Sequence, residues 1–272
     1  MSKIGVAGLQ LEAINGDNMD AIEAEIDAVA KRFQFVDMVV LGELNAYGAD
    51  TANAQPMPGP FEERMAEIAR RNDLWLIPGS IMESVGTDLY NTTPVINPDG
   101  EVVARHRKNF PWLPYEKGVE QGQDFVVFDV PGAGRFGVSI CYDMWFPETI
   151  RALTWMGAEV ILHPSLTSTI DRDVEHSMIR AYGSMFQCYF FDVNVGGPLG
   201  VGQSLIAGPG GEVIHKAGKG REIIPLRLDL DYVRDVRENG WHGLGVPLRS
   251  FADSALTYPQ YQPSLDLRGK TG

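Results

Sequence analysis

The feature that most constrains the fold is three tight reversals set among apolar segments of strand length and helical period. Asn97-Pro98-Asp99-Gly100, Pro131-Gly132-Ala133-Gly134 and Gly208-Pro209-Gly210-Gly211 are each flanked by short apolar runs. Residues 92–96 with 101–106, 125–130 with 135–141, and 204–207 with 213–215 therefore read as hairpins. The remaining segments alternate. Residues 3–11 read as a first strand. Ile22, Ile26, Val29, Ala30 and Phe33 then follow at helical spacing, with Asp17 or Asn18 as N-cap. Residues 37–41 form a short apolar strand. Pro60 takes the first position of a helix marked by Met65, Ile68 and Ala69, and residues 74–81 read as a third strand. Further on, Pro147 opens a helix that Gly157 closes, a strand covers 159–163, and a long helix over 171–187 leads into a strand through Asn194. A purely parallel sheet does not hold so many tight reversals, so the pattern predicts an α/β protein with mixed sheets. No repeat or linker interrupts it. One domain over residues 1–272 is expected, with a polar, Pro-bearing C-terminal arm from about residue 259.

Charge and cysteine content exclude several function classes. The 36 acids against 23 bases give a net charge of −13, and the densest basic run is only Arg105, His106, Arg107 and Lys108. Nucleic-acid and anionic-membrane partners are not expected with that field. No run of eighteen apolar residues occurs, and the N-terminal segment reads as a strand rather than a signal peptide. Two distant cysteines, Cys141 and Cys188, form neither a disulfide framework nor a CxxC motif, which predicts a reducing, cytoplasmic setting.

A few residues stand where chemistry is possible. Cys141 ends the apolar run GVSIC and is followed by a turn into the Pro147 helix. Its thiol can project above a sheet edge, with the Tyr142 N–H aimed at an oxyanion, or it can be a buried small hydrophobe. Cys188, inside QCYFFDVNV, reads as core. Glu43 directly follows an apolar strand and is either a surface cap or a desolvated base. Lys108 is either a solvated lysine or one directed into a pocket by the following Pro- and Trp-bearing loop, and Glu116 lies in that loop. The five histidines show no metal-ligand spacing, and no metal or organic cofactor is expected. Asp171, Asp173, Glu175 and His176 read as a helix start, where acids complement the macrodipole.

These segments together resemble the nitrilase superfamily of carbon–nitrogen hydrolases. The resemblance rests on VVLGELNAYG, YNTTPVINPDGEVVARHRK and GVSICYDMWFPE, which bring glutamate, lysine and cysteine in the family's order. GAEVILHPS and GQSLIAGPGGEVI extend it, so that it runs from Lys3 to about Glu238. The continuation RKNFPWLPYEKG resembles aliphatic amidases and formamidases and places Glu116 on the family's second active-site glutamate. Tyr142-Asp143 after the cysteine is closer to the wider amidase and carbamoyl-amidase branches, so the substrate stays open.

The resemblance implies a four-layer α-β-β-α sandwich with two mixed β-sheets. It also implies a homodimer or larger assembly, formed through the helix after Cys141 and the helix over 171–187. It further implies hydrolysis of a small amide through a thioester on Cys141. Glu43 would be the base, Lys108 and the Tyr142 N–H would hold the oxyanion, and Glu116 would hold Lys108. Tyr47, Trp112, Tyr142 and Trp145 are candidate pocket walls or, equally, core aromatics. The competing readings are an acyltransferase, a carbamoyl-amide or nitrile hydrolase, a scaffold that kept the fold, and a redox-sensing thiol.

Overall fold

The computed structural model describes residues 2–258, and the arm expected from about residue 259 lies outside them. The chain begins with β1 (Lys3–Gln10), α1 (Met19–Arg32), β2 (Met38–Leu41) and α2 (Pro60–Asn72). Four strands follow: β3 (Trp75–Ile77), β4 (Ile81–Val85), β5 (Asp88–Ile96) and β6 (Val102–Arg107). The second half comprises β7 (Val126–Val130), β8 (Gly134–Val138), α3 (Pro147–Trp155), β9 (Val160–Ser165), α4 (Arg172–Phe186) and β10 (Tyr189–Asn194). β11 (Leu205–Ala207), β12 (Val213–Lys216), β13 (Glu222–Asp229), α5 (Leu230–Asn239) and α6 (Pro247–Ala252) complete it.

Two sheets result. One runs β13-β1-β2-β3-β5-β4 with β6 also on β5, and the other runs β12-β11-β10-β9-β8-β7. Both are mixed: β1, β2 and β3 pair in parallel, as do β8, β9 and β10, while the hairpin strands pair antiparallel. Alternation of side chains gives each sheet two apolar faces. Val6, Val40 and Val95 of the first sheet meet Phe136, Leu162 and Val193 of the second in the central core. The outer face of the first sheet is covered by Ile22 and Ile26 of α1 and Met65 and Ile68 of α2. Ile150 and Leu153 of α3, with Ile179 and Phe186 of α4, cover the second. These are the four layers α-β-β-α.

Three local departures from the sequence reading matter for the site. The expected strand over 74–81 is broken into β3 and β4, both lying along β5. Pro78 and Gly79 cause the break. Gly79 has φ +74°, and a Cβ there would stand 2.0 Å from the carbonyl oxygen of Gly42. The break lets Ser80 Oγ accept from the Leu44 N–H at 3.2 Å, which fixes the loop carrying Glu43. Second, β8 ends at Val138 rather than at Cys141, and a 3₁₀ turn occupies Cys141–Trp145. Third, β13, which contains Pro225, has no counterpart in the sequence reading. As an edge strand on β1, β13 tolerates a residue without an N–H.

Candidate active site

Every reactive side chain sits just past the C-terminal end of a strand. Glu43 follows β2, Lys108 follows β6, Cys141 follows β8 and Thr167 follows β9. Ligands of α/β sheets bind at this end. The two sheets are tied here, because the Glu43 N–H donates to the Ser165 carbonyl at 3.2 Å across the sandwich.

Lys108 is the centre of the cluster. Its Nζ donates to Glu43 Oε1 at 2.7 Å and to Glu116 Oε2 at 2.6 Å, and its side chain is 2% exposed. Asn91, on β5, donates through Nδ2 to both carboxylates at 2.8 Å. The Trp112 N–H adds a bond of 2.5 Å to Glu116 Oε2. Two carboxylates therefore share one ammonium and one amide. That arrangement fixes their positions and keeps both out of water.

The electrostatics follow from burial and these neighbours. Burial pushes the Glu43 carboxyl above its ordinary range; Lys108 opposes this and the Glu116 charge adds to it. Burial alone would lower Lys108, yet the Glu43 and Glu116 charges outweigh it and hold the ammonium protonated. The Cys141 thiol is pushed well up by burial and then by the Glu43 charge, against the pull of Lys108. Burial thus favours the neutral Cys141 thiol, which needs a base to react.

Cys141 itself has φ +44°, an uncommon conformation for a residue with a Cβ. Asp143 holds the turn that imposes it. Its buried carboxylate accepts from the Ile140 N–H at 3.0 Å and the Phe110 N–H at 2.9 Å, and it meets His106 Nε2 at 2.9 Å. One side chain thereby joins the cysteine turn to the loop after Lys108. The sulfur lies 3.9 Å from Thr167 Oγ1.

The cavity has two lobes that meet at Cys141. One, of about 200 Å³, is lined by Trp112, Tyr142, Trp145, Thr167, Asp171 and Glu175. The other, of about 190 Å³, reaches Glu43, Lys108, Glu116, Met82 and Leu199. Glu43, Lys108, Cys141 and Glu116 thus converge, and Trp112, Tyr142 and Trp145 form walls. Tyr47 does not. It lines neither lobe and packs edge-on against Phe61, with ring centroids 6.1 Å apart, in the layer between α2 and the first sheet. The local chain reversal after Glu43 turns it away from the cleft. Cys188 is fully buried among core apolar side chains, and burial raises its thiol to about 12.

Asn91, Thr167 and Glu175 were not singled out as site residues by the sequence. Asn91 lies in the polar run Asn91-Thr92-Thr93 of β5, so no local pattern marks it; only its burial, which makes the amide demand partners, singles it out. Glu175 reads as a helix-start acid, but it is 3% exposed and accepts from Thr167 Oγ1 at 2.9 Å. Among the described residues, no group of three or more His, Cys, Asp or Glu side chains could hold a metal ion. No helix among them is long and apolar enough to cross a membrane.

Residues 3–238 match the carbon–nitrogen hydrolase family. The chain is 30% identical to omega-amidase NIT2 of Xenopus tropicalis over 211 residues, covering 72% of this chain and 74% of that protein. It is also 30% identical to the deaminated glutathione amidase of Dictyostelium discoideum, over 70% of this chain and 72% of that one. The structure superposes on Saccharomyces cerevisiae Nit3, of the nitrilase superfamily, with a TM-score of 0.80 and 26% identity, covering 87% and 94% of the two chains. An amidase from Nesterenkonia sp. shares the fold at a TM-score of 0.76 and 23% identity, over 86% and 94%. With the family's glutamate, lysine and cysteine segments gathered around one cleft, this chain belongs to the carbon–nitrogen hydrolases.

Proposed function

We propose that the protein hydrolyses the C–N bond of a small primary amide, giving a carboxylic acid and ammonia through a thioester on Cys141. The observation that carries this reading is the buried Glu43–Lys108–Glu116 cluster opening onto the Cys141 sulfur. Relatives named as amidases, omega-amidase NIT2 among them, support the reaction class.

Cys141 Sγ attacks the amide carbonyl carbon while Glu43 takes the thiol proton. Lys108 Nζ and the Tyr142 N–H stabilise the resulting oxyanion; one such donor is worth ~10²–10³ in rate. Glu43 returns the proton to the nitrogen as the C–N bond breaks, and ammonia leaves. Water then attacks the thioester carbonyl, Glu43 accepts its proton, and the C–S bond breaks as that proton returns to the sulfur. Glu116 keeps Lys108 in place and orients the substrate NH₂ or the water. Because all the reacting groups come from side chains and one backbone N–H, the reaction requires no added cofactor.

The test is release of ammonia and carboxylic acid from a panel of acetamide, propionamide and formamide, with ureas and nitriles alongside. Release from the amides above that from ureas and nitriles supports the reading. Hydroxamate formed at the expense of acid when hydroxylamine is present would assign acyl transfer instead. The acid limb of kcat/KM reports Glu43, which must be deprotonated to act. Burial raises its pKa, so activity falls with acid at a midpoint above the ordinary glutamate value of 4.5. A limb at or below that value would remove Glu43 from the role of base.

The cytoplasmic setting expected from the cysteines belongs with this reading. So does a homodimer through α3 and α4, where Trp155, Met156, Val174 and Met185 are exposed apolar side chains. Light scattering should give at least twice the chain mass for the wild type and a lower assembly for Val174→Glu. A monomeric wild type would reject the dimer.

A further inference from the structure

The lobe beside Cys141 that the hydrolytic steps do not use has an unusual lining. Trp112, Tyr142 and Trp145 supply aromatic walls, with the Tyr142 and Trp145 ring centroids 6.0 Å apart. Two carboxylates, Asp171 and Glu175, face the same space. Among the described residues lining the two lobes, the single cation is Lys108, and it is held between Glu43 and Glu116. Arg172 lies behind Glu175, paired with both Glu175 and Asp192, so this buried group of three holds two carboxyls against one cation; burial raises the Glu175 carboxyl and Arg172 opposes it.

This cavity contains the nucleophile, so the open question is only what chemistry it accepts. We infer that the aromatic and acidic lobe receives a short acyl chain ending in an ammonium group, so that the preferred amides are cationic at neutral pH. The inference rests on the amidase reading and names the substrate class for it.

The geometry fits a short chain. One hydroxyl separates the sulfur from the carboxylate: Sγ to Thr167 Oγ1 is 3.9 Å, and Thr167 Oγ1 to Glu175 Oε1 is 2.9 Å. Each oxygen of Glu175 accepts one bond, Oε1 from Thr167 and Oε2 from Arg172 at 3.0 Å, and a carboxylate oxygen can accept a second. Asp171, half-buried at the rim, accepts from Thr169 Oγ1 at 2.8 Å and faces the same group. Indole and phenol faces attract cations. An acyl chain ending in a carboxylate would meet two like charges and no free cation, and a purely apolar chain would cover the carboxylates' remaining lone pairs without offering a donor.

The experiment compares amides in which an ammonium replaces a methyl: 3-aminopropanamide against butanamide, and 4-aminobutanamide against pentanamide, at pH 7. The ammonium member of at least one pair should show kcat/KM tenfold or more above its neutral partner, with succinamate the poorest substrate. Asp171→Asn should shrink that ratio and Glu175→Gln should abolish it. The wild-type pairs decide the matter even if Glu175→Gln does not fold. Equal or better turnover of both neutral amides overturns the inference and leaves the amidase reading standing. Absence of ammonia from every amide counts against the amidase reading itself. Binding of 3-aminopropanamide and butanamide to Cys141→Ala by calorimetry then decides the inference alone: tighter binding of the ammonium compound sustains it, and equal or weaker binding overturns it.

Discussion

Replacing Cys141 with alanine should lower amide hydrolysis by ~10⁴-fold or more, the scale seen when a nucleophile that acts with its base as one unit is removed. The reason is structural. Glu43 and Lys108 are arranged around the sulfur, and without it Glu43 has no thiol proton to take and Lys108 no tetrahedral oxyanion to hold. Alanine fills the turn at φ +44° no worse than cysteine, and the Asp143 bonds that hold the turn do not involve the thiol. The variant should therefore fold, and its circular dichroism and melting should stay close to wild type. Cys141→Ser should also be nearly inactive, since a hydroxyl is a weaker nucleophile. Cys188→Ala removes a thiol that lies in the core away from both lobes, and ammonia release should stay near the wild-type rate. Retention of activity in Cys141→Ala would end the mechanism.

Lys108→Met should cost both activity and stability. The methionine side chain fits the space but takes away the one cation between two carboxylates that are 2% and 8% exposed. Breaking a buried ion pair by removing one partner costs about 3–5 kcal/mol, because the remaining charge is left uncompensated. Here two carboxylates lose their partner. The protein can relieve part of the penalty by protonating one of them, and Glu43 is already raised by burial. A protonated Glu43 is no base, so the substitution removes the oxyanion donor and disables proton transfer together. Urea denaturation and ammonia release should both show the loss. Full stability with lost activity would mean that the glutamates are not held as the structure shows. Full activity would exclude Lys108 from the oxyanion site.

Much of this arrangement was readable from local patterns. Glu43 and Cys141 each end or follow an apolar run, Lys108 follows a hairpin strand, and strand ends are where an α/β fold exposes side chains to a ligand. The hairpin turns at 97–100, 131–134 and 208–211 announced themselves through Gly and Pro, and mixed sheets followed from them. What stayed hidden depends on tertiary placement. Asn91 bridges Glu43 and Glu116 from the middle of β5, and no spacing rule connects those positions. Glu175 has the local signature of a helix start. Only the packing of α4 against the second sheet buries it beside Thr167. Tyr47 illustrates the opposite error: proximity in sequence to Glu43 does not carry an aromatic ring into the cleft. β13 escaped because its pairing with β1 joins residues more than two hundred positions apart.

The proposed chemistry depends on an acyl group passing through one sulfur. Acid-quenching the wild-type protein during turnover of a small amide, then digesting it and weighing the peptides, reads this directly. The account predicts a mass increment of one acyl group on the peptide bearing Cys141, lost on treatment with hydroxylamine and absent from the peptide bearing Cys188. Sustained ammonia release with an unmodified Cys141 peptide in every quench, or with the acyl group on another residue, would contradict it.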